Sequence, residues 1–379
     1  MTLEYQPSEG VDDRDRAAGS EPDSDEWAPG ETPIATIPVD GHVHDIAVSP
    51  DGGHVYVARP DSIVVIDGGH HIVGKIPLSG SAKSLVMDAG GEQLFVIDYA
   101  GSVSVVDTRD HTVQTPWGGR ASDVVVSPDG RHLYAARDQV TDDGASGMVS
   151  VIDIACATPV ATVPVSGVAA LAISPDGSRL YAVSYDRRTY YQYPAGWLTI
   201  IDTASYAVVK TIAIGACPAT LTPSPDGAYL YITHYDTCSV SAVDLTTGTA
   251  TAVALPDAPL GVVFSPDSGH AYVRNVRSLT VIDTTTHDTD HIDTGDQPRD
   301  LRLGPDGKRA YITDFGNGRL SVVDTITNSV ATTVEVPGHP EAVVVSPDGE
   351  RIYVGDYWSG AVAVISVPTV RDPHADAAG

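Results

Sequence analysis

The 379 residues hold 50 acids against 22 lysines and arginines, a formal charge of −28, and 42% of them are hydrophobic. That balance speaks against nucleic-acid binding, since an acidic surface repels a polyanion unless a compact basic stripe offsets it, and none is visible. No apolar run reaches the roughly 20 residues of a membrane span, and three cysteines (Cys156, Cys217, Cys238) are too few for a disulfide framework.

Residues 1–32 carry ten acids, two arginines and almost nothing apolar, so a disordered acidic tail is expected there. It has neither the basic n-region nor the apolar h-region of an export signal, which with the cysteine usage predicts a cytoplasmic protein. Next comes a lone strand at 34–39 (IATIPV), with no neighbour in sequence to pair with.

A repeat then begins and recurs eight times. It runs as an alternating strand, a tight turn, a second strand ending near tyrosine, and a third strand ending in aspartate. Ser-Pro-Asp-Gly occupies the turn at 49–52, 127–130, 174–177, 224–227 and 346–349, with weaker copies at 88–91, 265–268 and 304–307. Proline presets φ for the first central position, aspartate bonds the local backbone, and glycine takes positive φ to close the hairpin. The period of roughly 39 to 50 residues matches a four-stranded propeller blade, and segments of helical period are absent.

Seven of the eight third strands end in aspartate, while the last, at 362–366, ends in Ser366 shortly before a C-terminal tail at 368–379 that is expected to be disordered. The eighth blade therefore lacks a fourth strand, and 34–39 is the strand available to supply it, which would remove both open edges of the ring. The fold expected is all-β: a single eight-bladed β-propeller over 33–367, with four-stranded antiparallel blades, closed by its N-terminal strand in blade eight.

The second strands carry Tyr353-Val354-Gly355-Asp356, Tyr311-Ile312-Thr313-Asp314 and Tyr272-Val273-Arg274-Asn275, followed by third strands of VSVID or VSVVD type. Over about residues 34–367 this resembles the YVTN family of β-propeller repeats. Members resemble surface-layer proteins, lactonases, DNA-associated proteins and haem-binding propellers of nitrite reductases. The resemblance therefore implies a fold rather than an activity.

In a propeller, the loops leading into each first strand share one face with the loops between second and third strands, and the Pro-Asp-Gly turns take the other. Aligned on their turns, the lead-in loops read His42/His44/Asp45, Ser81/Lys83/Ser84, Arg120/Ser122/Asp123, Gly167/Ala169/Ala170, Cys217/Ala219/Thr220, Ala258/Leu260/Gly261, Gln297/Arg299/Asp300 and His339/Glu341/Ala342. Blades seven, eight, one, two and three are charged here, and blades four to six are small or apolar, which predicts a pocket with one polar and one apolar wall.

His42, His44 and His339 with Glu341 could converge across the boundary of blades eight and one. Three imidazoles and a carboxylate suit a divalent metal ion, general acid–base work, or no special role beyond solvation. Candidate ligand-binding residues on the same face are Arg59, Arg120, Arg137, His234, Arg299, Asp314 and Asp356. Tyr185, Tyr191, Trp197, Tyr235, Tyr357 and Trp358 join them as an aromatic rim. His234 or His42 could serve a non-covalent haem, and without a Cys-x-x-Cys-His motif a covalent one is excluded.

The function expected is binding of a small organic molecule at the upper channel mouth. The protein is expected to act as an enzyme of lyase, isomerase, cyclase or hydrolase type, with no cofactor required beyond that metal. The alternative is a non-catalytic scaffold that binds a protein partner on the same face, and the oligomeric state is open.

Overall fold

The computed structural model describes residues 33–117, 121–141, 144–165, 167–185 and 194–367. Both expected tails lie outside these residues. The described chain forms eight four-stranded antiparallel sheets, seven of them built from four consecutive strands. In the eighth, Ala35–Pro38 pairs antiparallel with Ala361–Ser366, next to Arg351–Asp356 and Pro340–Val345. The register runs from Ala35 opposite Val364 to Pro38 opposite Ala361, extended by Ile34 N–H to Val364 O and Val39 N–H to Gly360 O. The closure expected from the unpaired 34–39 segment is therefore present.

Burial falls from the middle of each blade outward, for a packing reason. Second and third strands are sandwiched between neighbouring blades on both faces, so Tyr229–His234 is buried almost throughout. The outer strand Thr249–Ala254 buries Val253 alone. Apolar clusters sit between blades rather than at one centre. Ile37, Val43 and Val57 join Val362 and Val364 at the closure, and Tyr231 and Val240 meet Phe264 and Val273 between blades five and six. Burying each such side chain is worth about 1.5–3 kcal/mol.

The Ser-Pro-Asp-Gly turns use every residue. Ser224 Oγ donates to Asp226 Oδ1 at 2.5 Å while accepting Tyr229 N–H at 2.9 Å, and Gly227 N–H closes on Ser224 O. Blades one, three, four, six and eight repeat the serine–aspartate bond. The turns also meet one another, with the space beside Gly91 closed by Pro50, that beside Gly307 by Pro266 and that beside Gly52 by Pro347. In these pairs the proline of one blade rests on the glycine of the next, whereas Gly227 has no such neighbour.

Innermost strands have a free edge toward the axis, whose N–H groups need acceptors. Asp45 Oδ2 accepts Leu85 N–H at 2.8 Å, Asp123 Oδ2 accepts Leu171 N–H at 2.7 Å, and Asp300 Oδ2 accepts Val343 N–H at 3.0 Å. In each case a lead-in carboxylate bolts its blade to the next.

The second and third strands of blade three are longer than those of the other blades. His132–Thr141 and Gly144–Asp153 continue as one long hairpin in which Asp138 pairs with Gly147 and Thr141 with Gly144. In blade four, residues 186–193, between the second and third strands, lie outside the described part.

Candidate functional site

His42 lies in the lead-in loop of blade one and Tyr357 just after the second strand of blade eight. Their rings stack at 4.7 Å with an interplanar angle of 18°, and His42 Nδ1 lies 2.7 Å from Tyr357 O. A carbonyl can only accept, so Nδ1 carries the proton and, in the neutral ring, Nε2 presents a lone pair. Trp358 meets His42 edge-on at 5.5 Å, and His44 meets the other side of the group, 5.5 Å from Tyr357 and 5.4 Å from Tyr99. Tyr99 OH and His44 Nδ1 are 3.2 Å apart. Burial, and then the neighbouring His42, hold the His44 pKa below the usual histidine value, favouring the neutral ring near pH 7. Tyr99 and Trp358 remain 61% and 60% exposed, so this aromatic group faces solvent.

His339 repeats the geometry one blade earlier. It stacks on Phe315 at 4.8 Å, and its Nδ1 lies 2.9 Å from Phe315 O. Arg299 covers the same Phe315 ring at 4.6 Å, with Nε 3.8 Å from Glu341 Oε2. Burial raises the Glu341 carboxyl above its ordinary value despite the opposing pull of Arg299 and Arg274. His42 and His44 thus share Tyr357, while His339 and Glu341 belong to a neighbouring group centred on Phe315 and Arg299. Among the described residues no three His, Cys, Asp or Glu side chains gather as a metal ion requires. The metal set of His42, His44 and His339 is therefore not assembled, because His42 and His44 pack around Tyr357 while His339 packs on Phe315 one blade away.

Several other expected site residues have different work. His234 is fully buried, with Nδ1 2.8 Å from Ala216 O and Nε2 2.8 Å from Ser241 Oγ, leaving no nitrogen for a ligand or haem iron. Asp314 is buried and accepts Asp296 N–H, Asn317 N–H and the Asn317 amide. Asp356 is buried and accepts His339 N–H and Ser359 N–H. Both aspartates hold loops in shape rather than facing a ligand. Arg59 is also buried, 3.7 Å from Asp61, with its Nε unpartnered.

Arg137 lies within the long second strand of blade three, opposite Met148, and Tyr185 ends that of blade four, while Trp197 and Tyr235 stand half exposed. Arg120 and Tyr191 lie outside the described residues. A separate groove between blades six and seven is lined by Pro256, Arg277, Ser278, His291 and Asp296, and includes none of His42, His44 and His339.

The sequence reading missed Arg274 and Arg302. Arg302 lies on the innermost strand Pro298–Leu303, with Nη2 3.5 Å from Asp300 Oδ2 and Nε bonded to Val343 O at 3.3 Å. Although deep in the molecule, it keeps 45% of its side chain accessible, as a residue bordering an open axis would. Asp300 first, and Asp45 to a lesser degree, stabilise its charge. Burial pushes the Asp45 carboxyl up to about 6, chiefly against the pull of Arg302. Half-buried Arg274 bonds Pro298 O at 2.9 Å and feels the charges of Asp300, Arg299, Glu341 and Arg302. Both arginines break the repeat: the positions equivalent to Arg302 are Ala47, Val86, Val125, Ala172, Thr222, Val263 and Val344, and those equivalent to Arg274 are Ala58, Ile97, Ala136, Val183, Thr233, Thr313 and Gly355. That signal was available from the alignment of blades.

No family model matches the chain. It is 26% identical over 348 residues to the "Seven-bladed beta-propeller protein Rv1057" of Mycobacterium tuberculosis, covering 79% of this chain and 87% of that protein. Among solved structures it is similar to Kuenenia stuttgartiensis hydrazine synthase, with a TM-score of 0.57 and 21% identity over 88% of this chain and 98% of that one. The blade count of this chain is eight rather than the seven in the mycobacterial protein's name. What these similarities establish for the chain is a β-propeller fold.

Proposed function

We propose that this is a small-molecule-binding β-propeller of the YVTN-repeat kind, acting on an organic ligand at the upper mouth of its axial channel. The observation that carries this reading is the group of His42, His44, Tyr99, Tyr357 and Trp358, which packs aromatic faces and imidazole edges together while leaving two large rings in solvent. Rings with polar tips suit an organic ligand. Beside them, Glu341 holds its proton to higher pH than usual and His42 Nε2 is an acceptor. An acid and a base within one mouth support non-redox proton-transfer chemistry of lyase, isomerase, cyclase or hydrolase type.

The test is a thermal-shift and calorimetric screen of small organic compounds against the full chain. Hits should weaken at least tenfold in His42→Ala and Tyr357→Ala and persist in Lys308→Ala, beside the opposite turns. If Lys308→Ala abolished binding and the histidine and tyrosine variants retained it, the face assignment would be wrong.

One observation favours a second reading. Tyr99, Tyr235, Trp197 and Trp358 are all exposed, as anchors for a protein partner would be. A defined partner retained by wild type and lost by Trp358→Ala, with no small-molecule hit, would choose that reading.

A further inference from the structure

The charges around the channel mouth point to a class of ligand. The protein is strongly acidic, yet three guanidinium groups gather at one wall of its axis: Arg274 from blade six, and Arg299 and Arg302 from blade seven. Asp300, Glu341 and Asp45 stand among them, but the closest carboxylate contacts of Arg299 and Arg302 are 3.8 and 3.5 Å. Those are longer than a direct charge-assisted bond of about 2.7–2.9 Å. Arg302 carries five N–H donors and spends one on Val343 O.

Its side chain and that of Arg299 each keep 45% of their surface accessible. Two of the three carboxylates have other obligations, with Asp45 Oδ2 holding Leu85 N–H and Asp300 Oδ2 holding Val343 N–H. Donor capacity is therefore left over at an accessible place.

The rest of the wall is of opposite character. At the depth of Arg302 the other blades place Ala47, Val86, Val125, Ala172, Thr222, Val263 and Val344. Val86 is 41% exposed although it sits on an innermost strand, so this apolar surface is open to the axis. At the depth of Arg299, blades four to six place Ala169, Ala219 and Leu260.

We infer that the channel mouth binds a small organic anion, its carboxylate or phosphate group held between Arg299 and Arg302 and its apolar body against the valine and alanine wall. This rests on the reading of the mouth as a small-molecule site and adds the sign of the ligand's charge. A planar, two-pronged guanidinium matches the geometry of either oxyanion.

Four probes of similar size test it by isothermal titration at low salt: benzoate, phenyl phosphate, neutral benzamide and cationic benzylamine. Benzoate or phenyl phosphate is expected to bind saturably, at least tenfold more tightly than benzamide, with the two anions separating a carboxylate from a phosphate site. Arg302→Met should reduce that affinity tenfold or more. Arg299→Gln, at a half-exposed position, should do the same if loss of Arg302 unfolds the chain.

Benzamide or benzylamine binding as tightly as the anions, or anion binding unchanged in both variants, would overturn the inference and leave the small-molecule reading standing. No saturable binding by any of the four would sink both.

Discussion

At the scale of single residues, equivalent positions in neighbouring blades do the same mechanical work. His42 and His339 each stack on the aromatic residue of the preceding blade and donate Nδ1–H to its carbonyl. Losing one neutral hydrogen bond and one ring stack costs about 1–2 kcal/mol. His339→Ala should therefore lower the melting temperature by a few degrees, and His339→Phe, which keeps the stack alone, by less. Equal losses in the two variants would show that the stack contributes nothing.

Two carboxylates, Asp176 and Asp45, contribute with opposite pH signs. Ser174, and then the backbone and hydroxyl of Ser178, hold Asp176 at about 2, so its stabilising contribution is present above the ordinary value of about 4 and is lost as pH falls toward 2. Asp45 is raised to about 6, so its contribution is complete below about 4 and is lost as pH rises through 6. Urea unfolding of Asp45→Asn should show a flatter stability profile between pH 4 and 6 than wild type. An unchanged profile would mean that Asp45 is not the group titrating there.

At the scale of the element, the Ser-Pro-Asp-Gly turn is a hydrogen-bonded unit rather than a flexible reversal. Ser224 is fully buried, donates to Asp226 and accepts from Tyr229. Ser224→Ala should cost about 1–3 kcal/mol, because it leaves the Tyr229 N–H buried without its acceptor. The measurement is equilibrium unfolding, and a change under about 0.3 kcal/mol would refute the role assigned to the hydroxyl. On the opposite face, Gly338 has φ 88°, and a Cβ there would overlap the Asp356 carboxylate. Gly338→Ala is expected to destabilise by more than the roughly 1 kcal/mol of conformational strain alone, and to disturb the neighbouring His339.

At the scale of the whole molecule, stability depends on closing the ring. Because the apolar clusters lie between blades, removing one strand exposes an interface as well as an edge. A chain lacking residues 1–31 should melt within a few degrees of the full chain. A chain shortened through Val39 loses Ala35–Pro38, uncovers the edge of Ala361–Ser366 and should aggregate or melt far lower. Equal melting temperatures would refute the closure.

The ring was legible before any coordinates because repeats state their geometry many times over. A turn whose proline, aspartate and glycine each have a separate steric or hydrogen-bonding reason, copied around the chain, leaves little freedom in blade number. A strand at 34–39 without a partner leaves equally little in the closure. The sharing of one face by the lead-in loops and the loops after the second strands was readable for the same reason, and His42 beside Tyr357 bears it out.

The fates of His234, Asp314 and Asp356 were not readable in this way. A polar residue at a loop end can face solvent or bond the backbone beneath it, and only the packed loop decides which. Packing likewise sent His339 to Phe315 and His42 to Tyr357, so three imidazoles adjacent in blade alignment do not meet at one point. Arg274 and Arg302 stood in the sequence as breaks in an otherwise small or apolar pattern. Their convergence with Arg299 needs the curvature of the ring, which brings blades six and seven to one side of a shared axis.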